Sequence, residues 1–254
     1  MTAAPSLAQT YADQGYLSPL DLFGPDEITE YRQAFDALEA REGREKCQIG
    51  LVARHFEEEF IWKMSTDPRL LDVMEQIMGP DIMLLSTHFF CKYPEPDSEK
   101  FVAWHQDITY WGLEPPEAHT AWIAVDDADS GNGSMQFLPA SHKGGIVEHG
   151  TSESGDNLLS INQEIPDEHI DKSKVISLAL KAGQYSLHDG QLYHASRPNR
   201  SDRRRCGLTV RFIRPEARQT TDNSHGQQWT PVLLRGEDRY NHYPETPMPF
   251  PLAD

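Results

Sequence analysis

Three things are scarce in this 254-residue chain. The first is positive charge: 23 Lys and Arg stand against 40 Asp and Glu, a formal charge of -17. Such an excess repels phosphate backbones, so nucleic acid is not an expected partner. The second is long apolar runs. None approaches the roughly 18 residues of a membrane span, so no membrane partner is expected. Met1 to Leu20 has neither a basic head nor an apolar run, so a secretory signal is not expected, and the expected compartment is the cytoplasm. The third is cysteine. Cys47, Cys91 and Cys206 are odd in number, far apart and form no Cys-x-x-Cys pair. That argues against a disulfide framework or a thiolate zinc site and leaves each as a small buried hydrophobe.

What is present suits a folded domain. Hydrophobic residues make up 38% and aromatics 9%, enough to fill a core. The length fits one domain over 1–254, with a helical portion over about 1–80, a core over about 81–215 and an extended arm over about 216–254. Ile28, Tyr31, Phe35 and Leu38 form one stripe and predict a helix over Asp26 to Glu42. Asp67 as N-cap, Pro68 and a Gly79 stop predict a second, carrying Leu70, Leu71, Met74, Ile77 and Met78. Between them Glu57, Glu58 and Glu59 read as a solvated run, and His55 before them as a surface histidine.

From Ile82 the texture changes to short runs rich in Val, Ile, Phe and Thr, separated by Gly, Pro, Asn and Asp. Strands are expected over Ile82–Lys92, Thr120–Val125, Ser134–Leu138, Val175–Leu180, Tyr185–His188 and Leu208–Ile213. With few helices between them, antiparallel pairing is expected. The fold class is therefore mainly β with N-terminal helices, a double-stranded β-helix of the jelly-roll or cupin-like kind. Glu148 to Lys174 reads as a long loop or a lid over a pocket, and the proline-bearing tail from Asn241 as a packed, extended arm.

Eleven histidines invite a search for a metal site. A His followed two places later by Asp or Glu should occur about twice by chance at this composition. It occurs three times, at His55, His105 and His169, so the spacing alone decides nothing. His169 sits in a polar stretch and reads as surface. His105 differs, because Trp104, Tyr110 and Trp111 flank it. On an extended strand, His105 and Asp107 point to one face. A distant strand would supply a third ligand from His188 or His194. Two His and one carboxylate make a facial triad with open positions, suited to ferrous iron more than zinc. Five arginines, Arg197, Arg200, Arg203, Arg204 and Arg205, crowd nine residues beyond. Most read as surface ion pairs; Arg205, opening the run Cys206-Gly-Leu-Thr-Val-Arg-Phe-Ile, is best placed to bind a carboxylate in the same cavity.

Taken in order, these pieces resemble the phytanoyl-CoA dioxygenase (PhyH) family of Fe(II)- and 2-oxoglutarate-dependent oxygenases. The similarity runs through Gly79-Pro-Asp-Ile-Met, Lys92-x-Pro, Trp104-His-Gln-Asp107, Ala121-Trp122, Asn132-Gly133-Ser, Leu138-Pro-Ala-Ser-His-Lys-Gly144, His194-x-Ser-x-x-Asn199 and Arg205. The resemblance implies His105, Asp107 and His194 as iron ligands. His194 is preferred over His188 because it precedes Arg205 by the family-like offset of eleven residues. It further implies Arg205, with Ser196, as the anchor of the far carboxylate of 2-oxoglutarate, with Trp122 near that cosubstrate and His88 facing its pocket. Fe(II), 2-oxoglutarate and O2 are the implied cofactor and cosubstrates, with succinate and CO2 released. A halogenating branch lacks the carboxylate ligand; Asp107 is present, so hydroxylation is expected.

Ile108, Thr109, Tyr110 and Trp111 follow the iron-binding turn and are the candidate substrate contacts, although an alternating strand would turn two of them to the core. The wording around them resembles bacterial members acting on small polar metabolites, aminoalkyl phosphonates among them, with amino acids or natural-product intermediates as the alternative. Nothing reads as an extended channel for an acyl-CoA. Two other readings are a non-catalytic cupin-like binding protein and a zinc hydrolase on the same triad. A monomer or homodimer is expected.

Overall fold

The structure is a computed structural model, in which residues 5–95, 97, 99–159, 161–223 and 226–252 are described. Residues 1–4 of the expected helical portion, residue 160 of the polar stretch and residues 224, 225, 253 and 254 of the expected arm lie outside the described residues.

The chain opens with α1 (Leu7–Gln14), β1 (Tyr16–Asp21), α2 (Pro25–Glu42), α3 (Arg44–Ile49), α4 (Glu59–Ser65) and α5 (Pro68–Met78). Strands β2 (Ile82–Lys92), β3 (Val102–His105), β4 (Leu113–Glu114), β5 (His119–Ala124) and β6 (Met135–Phe137) follow. Next come β7 (Gly150–Thr151), β8 (Gln163–Glu164), β9 (Ile176–Ser177), β10 (Gln184–Asp189) and β11 (His194–Ser196). The chain then forms β12 (Arg205–Ile213), β13 (Arg218–Gln219) and β14 (Val232–Arg235).

Local chemistry explains the two expected helices. At α2 the Gly24 N–H donates to Glu27 Oε2 at 2.7 Å, Pro25 pre-sets the first turn, and Gly43 ends the helix at φ 87°. At α5 the Asp67 side chain accepts from the Arg69 N–H at 2.9 Å, and Gly79 stops it at φ 88°. Helices α1, α3 and α4 are too short to show a sustained stripe. The expected solvated run is only partly so: Glu59 opens α4, whose Ile61, Trp62 and Met64 are buried.

The strands form two main sheets. One has six strands in the order β1-β10-β5-β12-β2-β14, the other four in the order β3-β11-β6-β9. Every pairing in them is antiparallel. The protein is thus mainly β with helices against one sheet, and the described residues show no closed barrel. The N-terminal portion is not wholly helical, because β1 forms an edge of the large sheet against β10. The C-terminal arm likewise supplies β14, which pairs with β2 at the opposite edge, while Trp62 donates its indole N–H to the Pro251 carbonyl at 3.0 Å.

One face of the large sheet packs on the helices. Ala121, Ile123, Tyr185, Leu187, Leu208, Val210 and Phe212 meet Phe35, Trp62, Leu70 and Met74 there, in the main hydrophobic core. Fully burying a side chain the size of Phe35 contributes about 1.5–3 kcal/mol. Cys47, Cys91 and Cys206 are free thiols in the same core. The alternate residues of β5, β10 and β12 project from the opposite face.

On β2 this alternation changes phase. Arg211 pairs with Ser86 and Phe212 with Leu84, so Leu85 is an extra, unpaired residue, a β-bulge. Before it Ile82 and Leu84 enter the helical core; after it Phe89 and Cys91 do, and Ser86, His88 and Phe90 turn to the other face.

His55 is not a surface histidine. It is 1% exposed, its Nδ1 pairs with Thr87 Oγ1 at 2.9 Å, and its ring lies between Phe56 and Trp62. Burial pushes its pKa from 6.5 down to about 4. The unfolded chain therefore takes up a proton near pH 6.5 that the folded protein refuses until about pH 4. Stability present above pH 6.5 is lost as pH falls through this window, by about 3 kcal/mol at about 1.4 kcal/mol per pH unit. Thermal unfolding of wild type between pH 7 and pH 4 should show this slope; His55→Gln, which keeps a polar partner for Thr87 but cannot titrate, should flatten it.

Candidate metal centre and adjoining cavities

His105 ends β3, but Asp107 does not continue the strand. It opens a 3-10 turn over Asp107–Tyr110, which corrects the expected extended pair. Gln106 forces the turn from behind: its amide donates to Gly145 and Gln191 carbonyls at 2.9 and 2.8 Å and accepts from the Val147 N–H at 3.0 Å. His194 arrives from β11, directly opposite His105 in the register.

Three ligating atoms of His105, Asp107 and His194 lie within 4.8 Å of one another. The Nε2 atoms of His105 and His194 stand 3.5 and 3.8 Å from Asp107 Oδ1. These separations exceed hydrogen bonds. Each imidazole is oriented from behind, Nδ1 of His105 on the Ala103 carbonyl at 2.9 Å and Nδ1 of His194 on the Leu192 carbonyl at 3.0 Å. Those carbonyls assign the proton to Nδ1 and leave the Nε2 lone pairs facing inward. Thr120 Oγ1 donates to Asp107 Oδ2 at 3.0 Å, fixing the carboxylate.

The electrostatics suit a cation. Burial drives the His194 pKa well below normal, reinforced by His105 and His188, so its ring is neutral. Burial also works to raise the Asp107 pKa, but the neighbouring His105 and His188 and the Arg211 guanidinium outweigh it and hold it well below its usual value. Two imidazoles and one carboxylate with no thiolate are the donor set of an N/O facial triad. His188 stands beside it, fully buried, with Nε2 3.5 Å from Asp107 Oδ2 and neither ring nitrogen hydrogen-bonded among the described residues.

The triad borders two cavities. The inner, smaller one, about 40 Å³, is lined by Trp122, Ser196, Arg205 and Thr209. Arg205 is 2% exposed, donates from Nη2 to the Gly133 carbonyl at 2.9 Å, and lies 5.4 Å above the Trp122 ring. Its Nε has no partner, and no carboxylate pairs with it among the described residues. Burial lowers its pKa to about 10, so it remains charged at neutral pH. Its neighbours behave differently. Arg200 pairs with Glu99 at 2.5 Å, Arg203 with Asp129 at 2.6 Å, and Arg204 with Asp126 at 2.8 Å, while Arg197 meets Gln136 at 3.3 Å. Gly207 makes room for the indole below Arg205, since a Cβ there would stand 2.0 Å from the Trp122 ring. The Ser196 hydroxyl accepts from Lys92 Nζ at 2.7 Å, deep in the protein.

The second cavity, about 160 Å³, shares His105, Asp107 and Arg211 with the triad's surroundings. His88 lines this larger cavity and not the one that Arg205 lines. Tyr110 and Trp111 line it too, whereas Ile108 packs in an apolar cluster and Thr109 is held by Gln106 and Gln163. The polar stretch over 148–174 is folded down: Leu159 borders both cavities, Ile165 and Ile170 are buried, and the Ile165 N–H bonds the Trp104 carbonyl at 2.7 Å. Sequence reasoning overlooked Arg211 and Gln106. The signal for Arg211 was its period of two from Arg205 along an otherwise apolar strand.

The family model for phytanoyl-CoA dioxygenase (PhyH) matches residues 11–207. The chain belongs to this family. A probable alpha-ketoglutarate-dependent hypophosphite dioxygenase of Stutzerimonas stutzeri is 27% identical over 188 residues, covering 73% of this chain and 65% of that protein. This PhyH-family chain therefore spans just under two thirds of that relative's length. L-proline trans-4-hydroxylase of Streptomyces griseoviridis is 27% identical over 229 residues, covering 80% of this chain and 84% of that protein. Among solved structures, the apo form of the non-heme monooxygenase ThoJ superposes with a TM-score of 0.74 at 26% identity, over 95% of this chain and 88% of that one.

If the inward Nε2 atoms and Asp107 hold the metal, His194→Ala should weaken divalent-metal affinity by at least tenfold. His188→Ala, which removes a neighbour of the carboxylate and no ligand, should do so by less. Calorimetric titration with Fe(II) under argon, and with Ni(II), measures both.

Proposed function

We propose that this chain is an Fe(II)- and 2-oxoglutarate-dependent oxygenase that hydroxylates a C–H bond of a small polar metabolite, releasing succinate and CO2. One observation carries the reading: a His-Asp-His cluster and a buried guanidinium without a carboxylate partner, Arg205, border the same cavity. His105, Asp107 and His194 would hold the ferrous ion, whose chemistry is activation of dioxygen coupled to decarboxylation of a bound 2-oxo acid. We further read the six- and four-stranded sheets as the two halves of a jelly roll, and 1–254 as one domain.

The protein's own residues supply binding and order. Arg205 would take the far carboxylate of 2-oxoglutarate through paired charge-assisted bonds, which explains why it reaches inward without an acidic neighbour. Ser196, steadied by Lys92, lines the same cavity, and the Trp122 face presses under the guanidinium. Thr120 keeps one Asp107 oxygen engaged so that the other faces the two imidazoles. Val102, Met135, Leu159 and Ala195 form apolar walls that exclude water from the reacting atoms. Asp107 occupies the position that a halogenating enzyme leaves to chloride, which supports hydroxylation. A cavity of about 160 Å³ suits a small metabolite better than an acyl-CoA. The named substrates of two relatives, hypophosphite and L-proline, are also small and polar. Aminoalkyl phosphonates remain within this class, as do amino acids.

Anaerobic addition of Fe(II) and 2-oxoglutarate should produce the iron–oxoglutarate charge-transfer band in wild type and none in His194→Ala. Its absence from metal-loaded wild type would sink the reading and favour a zinc hydrolase or a binding protein. Arg205→Gln should raise the 2-oxoglutarate KM by ten- to a hundredfold, the worth of about 1.5–3 kcal/mol for a charged hydrogen bond. Succinate release in air, assayed with 2-aminoethylphosphonate, its N-methylated analogues and L-proline, tests the substrate class.

A further inference from the structure

Arg211 lines both cavities, and beyond its charge beside Asp107 the chemistry above gives it no task. It is 7% exposed, yet no hydrogen bond leaves any of its N–H groups among the described residues, and its Nε is buried without a partner. Its closest carboxylate contact is Asp107 Oδ2 at 4.0 Å, the outer limit of an ion pair, and that oxygen already accepts from Thr120. The guanidinium instead stacks 5.4 Å from the Trp111 ring. A planar fork of donors held against an indole and left without acceptors is prepared for an anion. Asp107 is the sole carboxylate lining the larger cavity among the described residues, and Tyr110, Trp111 and Trp229 supply aromatic wall around it.

We propose that Arg211 binds the substrate's own anionic group, so that the substrate is a small carboxylate or phosphonate oxidised close to its charge. This rests on the reading of His105, Asp107 and His194 as the metal centre. The guanidinium stands 4.0 Å from a ligand carboxylate. An anion seated on it would therefore present carbons only a few bonds away to the metal. Arg211 borders the inner cavity as well, but Arg205 does not reach the larger one, so an acid held in the larger cavity meets Arg211 alone. One binds the cosubstrate and the other the substrate.

The test uses wild type, Arg211→Gln and Arg211→Lys, each loaded anaerobically with Fe(II) and excess 2-oxoglutarate so that Arg205 is already engaged. Methylphosphonate and acetate are the minimal phosphonate and carboxylate probes, with ethanol as the uncharged comparator. Calorimetry reads the probe, and the charge-transfer band reads the cosubstrate independently. Saturable binding of at least one anion to wild type is expected, and the tighter of the two names the source of the charge. Arg211→Gln should weaken that binding at least tenfold and Arg211→Lys less, with the band retained in both. The proposal is overturned if neither anion binds loaded wild type, if ethanol binds as well as the anions, or if Arg211→Gln leaves anion binding unchanged. It is equally overturned if the variant loses the band, because Arg211 would then serve only to hold Asp107. A wild type that never shows the band refutes the cofactor reading instead, and calorimetry on the same sample still decides whether Arg211 takes an anion.

Discussion

Removing an ionised guanidinium from water without a hydrogen-bonded carboxylate carries a penalty of several kcal/mol, and this protein does so twice on one strand. Arg205 and Arg211 sit on the inner face of β12, with Gly207 and Thr209 between them. The other face of the same strand places Cys206, Leu208, Val210 and Phe212 in the main core, all at 0% exposure. Strands β5 and β2 pair with it on either side. The apolar half of β12 thus anchors what its polar half could not stabilise alone. The triad depends on the same sheet, since Thr120, which holds Asp107, lies opposite Arg211 in the register.

This arrangement alters the meaning of the charge balance. The overall excess of acid is met away from the cavities, where Arg200 and Arg203 are consumed at the surface by Glu99 and Asp129, and Arg204 by the half-buried Asp126. The positive charge that faces the cavities belongs to only one member of the dense arginine run, together with Arg211 six residues further along. Local density of arginine in a sequence says little about where a field is felt; strand phase and burial decide it.

How much of this was legible in the sequence depends on the range of the interactions involved. Helices α2 and α5 and strands β2, β5 and β12 carry their own period and caps, so a local reading finds them. β1 and β14 exist because β10 and β2, far away in the chain, offer them an edge. His55 was misread for the same reason: its neighbours in sequence are acidic, but its environment is Thr87 and Trp62. Asp107 was expected on a strand because nothing local shows that Gln106 will be tied to Gly145 and Gln191. The choice between His188 and His194 came from resemblance, and the structure explains why residues alone left it open. Both rings face the same cavity, with centroids 4.6 Å apart.

The extra residue at Leu85 divides β2 into two lengths with opposite assignments of inside and outside. Beyond it, the side chains facing the larger cavity and those facing the helices alternate without overlap. Ser86, His88 and Phe90 therefore form a set that can be varied together to reshape the pocket while Phe89 and Cys91 keep the scaffold intact. A one-residue deletion at the bulge would do the reverse, exchanging the two sets and placing a core aromatic where a ligand has to fit. For directed evolution of this pocket, length at position 85 is the quantity to hold fixed, and composition beyond it is the quantity to change.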